Sequence, residues 1–204
     1  MKNYPNSSFV GEETKKKINN SILTWVIDPI DGTKNLILGS PVWSNLIGLI
    51  INNEPKYGLA FFPVLKKYYF SDSKNSFVFE NFKKKIKISS SKTNNLSKSK
   101  IVTNTIHTLN NKELFNFFLK HKFLFKVSSM DSYNYCLLAE GKIDIIIEAG
   151  VKFVDIMPLV PIIRNSGGVI SNWHGEKVLS SGNIVVSSNK RLHSIIVSIL
   201  KKIL

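Results

Sequence analysis

The chain has 204 residues and a single cysteine, Cys136, so it has no internal disulfide. A domain that folds without disulfides suits a reducing compartment, and the protein reads as cytoplasmic. One cysteine also excludes a cysteine-built zinc or iron–sulfur centre. The histidines, His107, His121, His174 and His193, do not cluster at metal-ligand spacing and read as surface or loop positions. No apolar run approaches the length of a membrane span. The opening "MKNYPNSSFVGEE" lacks the apolar core of a signal peptide, so no membrane partner is expected. Acids are scarce, 14 against 28 lysines and arginines, for a net charge of +14. That balance suits nucleic acid, an anionic surface or anionic small substrates. The short lysine runs at 15–17 and 83–85 are not interleaved with aromatics as a single-strand binder requires, so no nucleic-acid partner is expected.

With so few acids, their positions carry information. The stretch "TWVIDPIDGTKN", residues 24–35, runs apolar and then places Asp28 and Asp31 three apart around Pro29, with Gly32-Thr33 following. Further acids stand at element ends: Glu12 and Glu13 in "GEE", Glu148 after an apolar strand, and Asp155 at a helix start. Magnesium takes oxygen ligands and uses a few carboxylates together with water and substrate phosphate. Pro29 holds Asp28 extended, the Ile30 carbonyl can turn inward, and Gly32-Thr33 lets backbone approach an anion. The plain alternative is a turn in which Asp28 ends a strand and Asp31 caps a helix. Spacing alone leaves both open.

The remaining pattern is mixed. Residues 1–20, apart from the short "FVGEE" stretch, read as loop or frayed helix. Residues 23–28 and 43–53 read as strands, with a turn at "EPK", and a meander continues to about residue 88. The segment 89–100, "SSSKTNNLSKSK", reads as a linker dividing the chain into halves 1–95 and 96–204, one structural unit with the site between them. Beyond it come a strand "KIVTNT", helices over "NKELFNFFLKHK" and "SYNYCLLAEG", and a strand "IDIIIEAG". "VDIMPLVPIIRNSGG" reads as one helix with Pro158 in its first turn and Pro161 as a possible kink, followed by two strands and a terminal helix. Cys136, Trp43 and Trp173 read as packing residues and Arg164 as exposed. Mixed strands and helices predict a layered α/β or α+β fold.

"GEE", "WVIDPIDGTKN" and "VDIMPLVPIIRNSGG", in this order, resemble the three motifs of the inositol-monophosphatase-like, magnesium-dependent phosphatases. The resemblance covers nearly the whole chain. It implies an αβαβα sandwich and two or three Mg2+ ions on Glu12, Asp28, Asp31, Asp155 and the Ile30 carbonyl. It also implies catalytic roles for Glu12, Asp31 and Thr33, and phosphate contacts from Gly32 and Thr33. Within that superfamily "DSYNYCLLAEGKIDIIIEAGVKFVDIMPLVPII" is most similar to the histidinol-phosphatase branch. The branch places substrate contacts at Asp131 and Glu148, where two acids suit a cationic amine and imidazole. The implied activity is hydrolysis of a small phosphate monoester, L-histidinol phosphate first, with inositol phosphate or a 3′-phosphoadenosine-type nucleotide as rivals. A non-catalytic binding protein is the rival from another class.

The sequence departs from the motifs at Val154, where the family carries an aromatic residue before the aspartate, and at Leu36, where it carries phenylalanine. The helical segment that the family carries before "GEE", about a quarter of a full-length chain, is not in this sequence. Apolar surface that it would cover is then expected to meet a second copy, as a homodimer.

Overall fold

The structure, a computed structural model, describes residues 4, 6–13, 17–19, 21–104 and 111–203. His107, Lys15 and Lys16 lie outside the described residues.

A first sheet of seven strands runs in sequence order: β1 (Ser8–Gly11), β2 (Leu23–Asp31), β3 (Ser44–Ile51), β4 (Glu54–Phe62), β5 (Lys67–Ser71), β6 (Ser76–Glu80) and β7 (Lys84–Lys87). Its neighbours are antiparallel except for β1 and β2, which run parallel. Side-chain alternation sets the inner face: Ser44, Leu46, Gly48 and Ile50 are buried while Asn45, Ile47, Leu49 and Ile51 are half-buried. The outer face is also apolar, and Trp25, Ile47, Leu49, Leu59 and Phe70 line a shallow depression of about 370 Å³ there.

A second, mixed sheet takes the order β11 (Val169–Asn172), β12 (Gly182–Ser187), β10 (Ile145–Val151), β8 (Lys100–Thr103) and β9 (Phe125–Ser128). Its central strand β10 buries Ile145, Ile146 and Ile147 in succession, as a strand covered on both faces must. Between the sheets lie α3 (Ser132–Ala139), α4 (Phe153–Ile156) and α5 (Leu159–Asn165); α1 (Thr33–Ile37) is a single turn after β2. Helices α2 (Lys112–Lys120) and α6 (Lys190–Ile203) cover the far face of the second sheet. Each shows a one-sided apolar stripe, Leu114, Phe117 and Phe118 on α2 and Leu192, Ile196, Val197 and Leu200 on α6. The layers are therefore sheet, helices, sheet, helices.

Several sequence expectations need correction. Residues 8–11, which include the start of the "FVGEE" stretch to which the sequence assigns no element, form β1, which completes its hydrogen bonds along β2. "EPK" opens β4, and the turn falls at Asn52 and Asn53, whose positive φ of 50° and 60° suits asparagine. The strand expected to end at Asp28 continues to Asp31. The helix expected from Asp155 to Gly167 is two short helices: Pro158, which lacks an N–H, separates them, and Pro161 lies in the first turn of the second. Strand β9 carries no alternation because all four of its residues are exposed at the sheet edge. The serine-rich segment 89–100 is fastened down: Ser90 N donates to Ser166 O at 2.8 Å, Lys100 N to buried Asp144 Oδ2 at 2.9 Å, and Ser91 Oγ also donates to Asp144.

One packing feature decides where the site forms. Gly48 and Gly58 are register partners on β3 and β4. A Cβ on Gly58 would stand 1.9 Å from the Pro158 carbonyl oxygen, and one on Gly48 3.1 Å from Pro158 Cα. The paired glycines open a slot for the junction of α4 and α5, which carries Asp155 towards β2.

Candidate active site and metal centre

Asp28 and Asp31 are an odd number of residues apart, so a regular strand would send them to opposite faces. Instead Asp28 pairs with Leu46 and Asp31 with Ser44, three residues opposing two. This bulge, which accommodates Pro29, turns both carboxylates to the buried side, where they are 1% and 6% exposed. Asp28 Oδ1 accepts from Ile30 N at 2.9 Å, and Thr33 Oγ1 donates to the Ile30 carbonyl at 3.0 Å. Asn45 Nδ2 donates to the Pro29 carbonyl and braces the turn from β3. Gly32, at φ 76°, then starts α1.

Glu12 follows β1, and its backbone N donates to the Ile27 carbonyl at 3.3 Å. Parallel pairing of β1 with β2 thus sets Glu12 beside Asp28. Asp155 enters from α4. Carboxylate oxygens of Glu12, Asp28 and Asp155 all lie within 4.8 Å of one another. Asp31 lies outside that trio but lines a common cleft of about 210 Å³ with it, together with Gly32 and Thr33. Its Oδ2 accepts from Ser132 N at 3.1 Å and Ser44 Oγ at 3.4 Å, which ties the first sheet to α3. Glu13 is exposed.

The electrostatics follow from this crowding. Burial, reinforced by Asp31 and Glu12 and opposed by the Ile30 N–H, pushes the Asp28 carboxyl up to about 8. Burial likewise lifts Asp31 to about 7, with Asp131 and Asp155 adding to it. Asp155 rises to about 6, again through burial, against the nearby Lys152. Glu12 moves the other way, because Lys152 hydrogen-bonds it from the opposite half of the chain. Three hard anionic oxygen donors in one pocket, two of them driven towards neutrality in the absence of a countercharge, fit a divalent cation such as Mg2+.

A second cavity of about 350 Å³ adjoins the first and shares Asp31, Lys34, Asp131 and Asp155 with it. Glu148 lines this cavity from a bulge in β10, where Glu148 pairs with Ile184 and Val151 with Gly182. Tyr135 Oη donates to Glu148 Oε2 at 2.7 Å, while Oε1 is buried and makes no well-formed hydrogen bond among the described residues, with the Ser129 hydroxyl acting on the carboxylate from nearby. Burial raises the carboxyls of both Glu148 and Asp131.

All the residues that the sequence singled out, Glu12, Asp28, Ile30, Asp31, Gly32, Thr33, Asp131, Glu148 and Asp155, thus fall in or around two adjoining cavities. Sequence reasoning missed Ser44, Ser132, Tyr135, Lys152 and Asn35, which support these carboxylates. The histidine reading needs one correction: His193 is buried on α6, with Nε2 3.0 Å from Ser171 Oγ. His174 is exposed and His121 half-buried. Arg164 is half-buried, 3.9 Å from Glu54, rather than freely exposed. Cys136 and Trp173 are core residues.

A protein-family model described as the inositol monophosphatase family matches residues 1–204. The chain belongs to the inositol monophosphatase family. The family comprises metal-dependent phosphomonoesterases. The chain is 31% identical over 205 residues to the bifunctional phosphatase IMPL2, chloroplastic, of Arabidopsis thaliana, covering 95% of this chain and 58% of that protein. It is 27% identical over 200 residues to a histidinol-phosphatase of Mycobacterium tuberculosis, covering 93% of this chain and 74% of the relative. A solved inositol monophosphatase from Anabaena superposes with a TM-score of 0.85 at 24% identity, over 100% of this chain and 81% of that one, which shows that the family fold is present.

Proposed function

We propose that this chain hydrolyses a small cationic phosphate monoester with Mg2+, and that the substrate is L-histidinol phosphate. The observation that carries the reading is the pair Asp131 and Glu148 in the cavity beside the carboxylate trio, with Glu148 Oε1 buried and without a well-formed hydrogen bond among the described residues. A buried carboxylate oxygen calls for a donor. The amine and imidazole of histidinol supply charged donors, whereas the hydroxyls of inositol supply only neutral ones. The histidinol-phosphatase relative supports the same choice.

Glu12, Asp28 and Asp155, with Asp31 and the Ile30 carbonyl, are proposed to hold two or three Mg2+ ions. Bound there, the ions polarise the phosphate and lower the pKa of water. The chain's own residues then do the following. Gly32 and Thr33 present backbone N–H groups to the phosphate. Glu12, kept ionised by Lys152, and the Thr33 hydroxyl orient the attacking water. Water adds to phosphorus in line, the bond to the ester oxygen breaks, and that oxygen leaves as the alcohol after taking a proton. Asp131 and Glu148 hold the cationic end. The proposed assembly is a homodimer, in which a second copy covers the apolar outer face of the first sheet.

Phosphate release with Mg2+ from L-histidinol phosphate, inositol 1-phosphate and 3′-phosphoadenosine nucleotides tests the substrate. The expected kcat/KM for L-histidinol phosphate is at least about tenfold above the other two, the scale of one good charged contact. Equal values across all three would refute the histidinol reading, and no release from any of them would favour a binding protein.

A further inference from the structure

Asn35 lies on α1, on the rim of the larger cavity. Its Nδ2 donates to Asp131 Oδ2 at 2.8 Å, across 96 positions of sequence. Asp131 stands at φ 49° and ψ −138°, on the side of backbone space that residues with a Cβ avoid. Such a conformation persists only where its surroundings hold it. Two further contacts fit that role. Asp131 N donates to Ser129 Oγ at 3.2 Å. Gly32 lies directly beneath: a Cβ there would stand 3.0 Å from Asp131 Oδ2 and 3.4 Å from Asn35 Nδ2. Glycine therefore lets carboxylate and carboxamide seat together over the turn.

We propose that Asn35 is a positioning residue that fixes the Asp131 carboxylate in the cavity and thereby sets selectivity for amine-bearing over neutral phosphate monoesters. This rests on the reading of Asp131 as a contact for the cationic end of the substrate. The chemistry of the amide suits the task. A carboxamide orients one oxygen of Asp131 without adding charge, so the carboxylate keeps its full attraction for a cation. An arginine or lysine in its place would orient Asp131 equally well and neutralise it. Lys34 is the cation that acts on Asp131, and Asp31, Asp155 and Glu148 are the acids that share its surroundings.

The test compares kcat/KM for L-histidinol phosphate with that for glycerol 2-phosphate, and takes the ratio as selectivity. It uses the wild type, Asn35→Ala, Asn35→Ser, Asp131→Asn and the double variant Asn35→Ala/Asp131→Asn. Serine keeps the site polar but is too short to reach Asp131. Both Asn35 variants are expected to lower selectivity about tenfold, chiefly through KM for the amine-bearing substrate. The double variant is expected to be no less selective than Asp131→Asn alone, because Asn35 acts through Asp131. Calorimetric titration of L-histidinol into the metal-free variants should give the same order of affinities, independent of turnover. If Asp131→Asn lowers selectivity and L-histidinol affinity while neither Asn35 variant does, the role of Asn35 is overturned and the reading of Asp131 stands. If Asp131→Asn changes neither, the reading of Asp131 fails and the role of Asn35 fails with it.

Discussion

At the scale of the residue, His193 gives the cleanest pH signature. Its imidazole is buried on α6, Nδ1 has no partner among the described residues, and burial lowers its pKa from 6.5 to about 4. The folded state therefore binds fewer protons than the unfolded state between these values, so the stability that His193 contributes is full above pH 6.5 and is lost as pH falls towards 4. The loss is on the order of 3 kcal/mol when complete. His193→Gln, which stays neutral and can still bond Ser171, should remove most of that acid loss in urea titrations at pH 7 and pH 4.5; an unchanged difference between the two pH values would contradict the assignment. The acids of the site were readable as residues because acids are rare in this chain and stand at element ends. Their partners were not. Lys152 meets Glu12 across 140 positions and Asn35 meets Asp131 across 96, and no local pattern encodes such pairs. His193 looked like a surface residue because one histidine on an amphipathic helix gives no sign of which face it occupies.

At the scale of the element, Gly58 is the sharpest probe. Gly58→Ala places a Cβ where the Pro158 carbonyl oxygen stands, so β4 or the junction of α4 and α5 must move. The expected cost is about 2–3 kcal/mol, or roughly 5–10 °C in melting temperature for a chain of this size. Because the junction carries Asp155, Mg2+ affinity should fall as well. A melting temperature within about 2 °C of wild type would show that the slot relaxes freely. The meander from β3 to β7 was legible because its alternation is clear and its turns are short. Strands β1 and β9 were not: each has four residues and pairs in parallel with the next or preceding strand, so no short hairpin turn announces it. The one-residue excess at the aspartate bulge was equally hidden, since "DPID" states its proline but not the register opposite it.

At the scale of the whole molecule, two apolar clusters, one between the sheets and one under α2 and α6, make the layered fold that mixed elements predicted. The order of strands in the second sheet was beyond the sequence, because it depends on crossovers rather than neighbours. The proposed dimer should associate more tightly as salt rises, since a net charge of +14 on each copy opposes association and is screened above about 0.1 M. Sedimentation velocity at low and high salt checks this, and a monomer throughout would contradict it. The proposed metal centre also belongs to this scale, because Glu12 follows β1 and Asp28 lies on β2 of the first sheet, while Asp155 comes from the helices that follow β10. In metal-free protein the raised carboxyls of Asp28, Asp31 and Asp155 make the folded state hold extra protons between pH 4 and about 8, so their contribution to stability falls as pH rises through that window. Mg2+ needs the ionised forms, so its stabilising effect should grow over the same range. The most direct measurement is the thermal shift produced by Mg2+ at pH 6 and pH 8, for wild type, Asp28→Asn and Asp31→Asn. The predicted result is a wild-type shift that is larger at pH 8 and strongly reduced in both variants, with each variant folded and, without metal, at least as stable as wild type. A wild type that does not respond to Mg2+, or variants that respond as it does, would show that the "DPID" stretch is a turn and not a metal site.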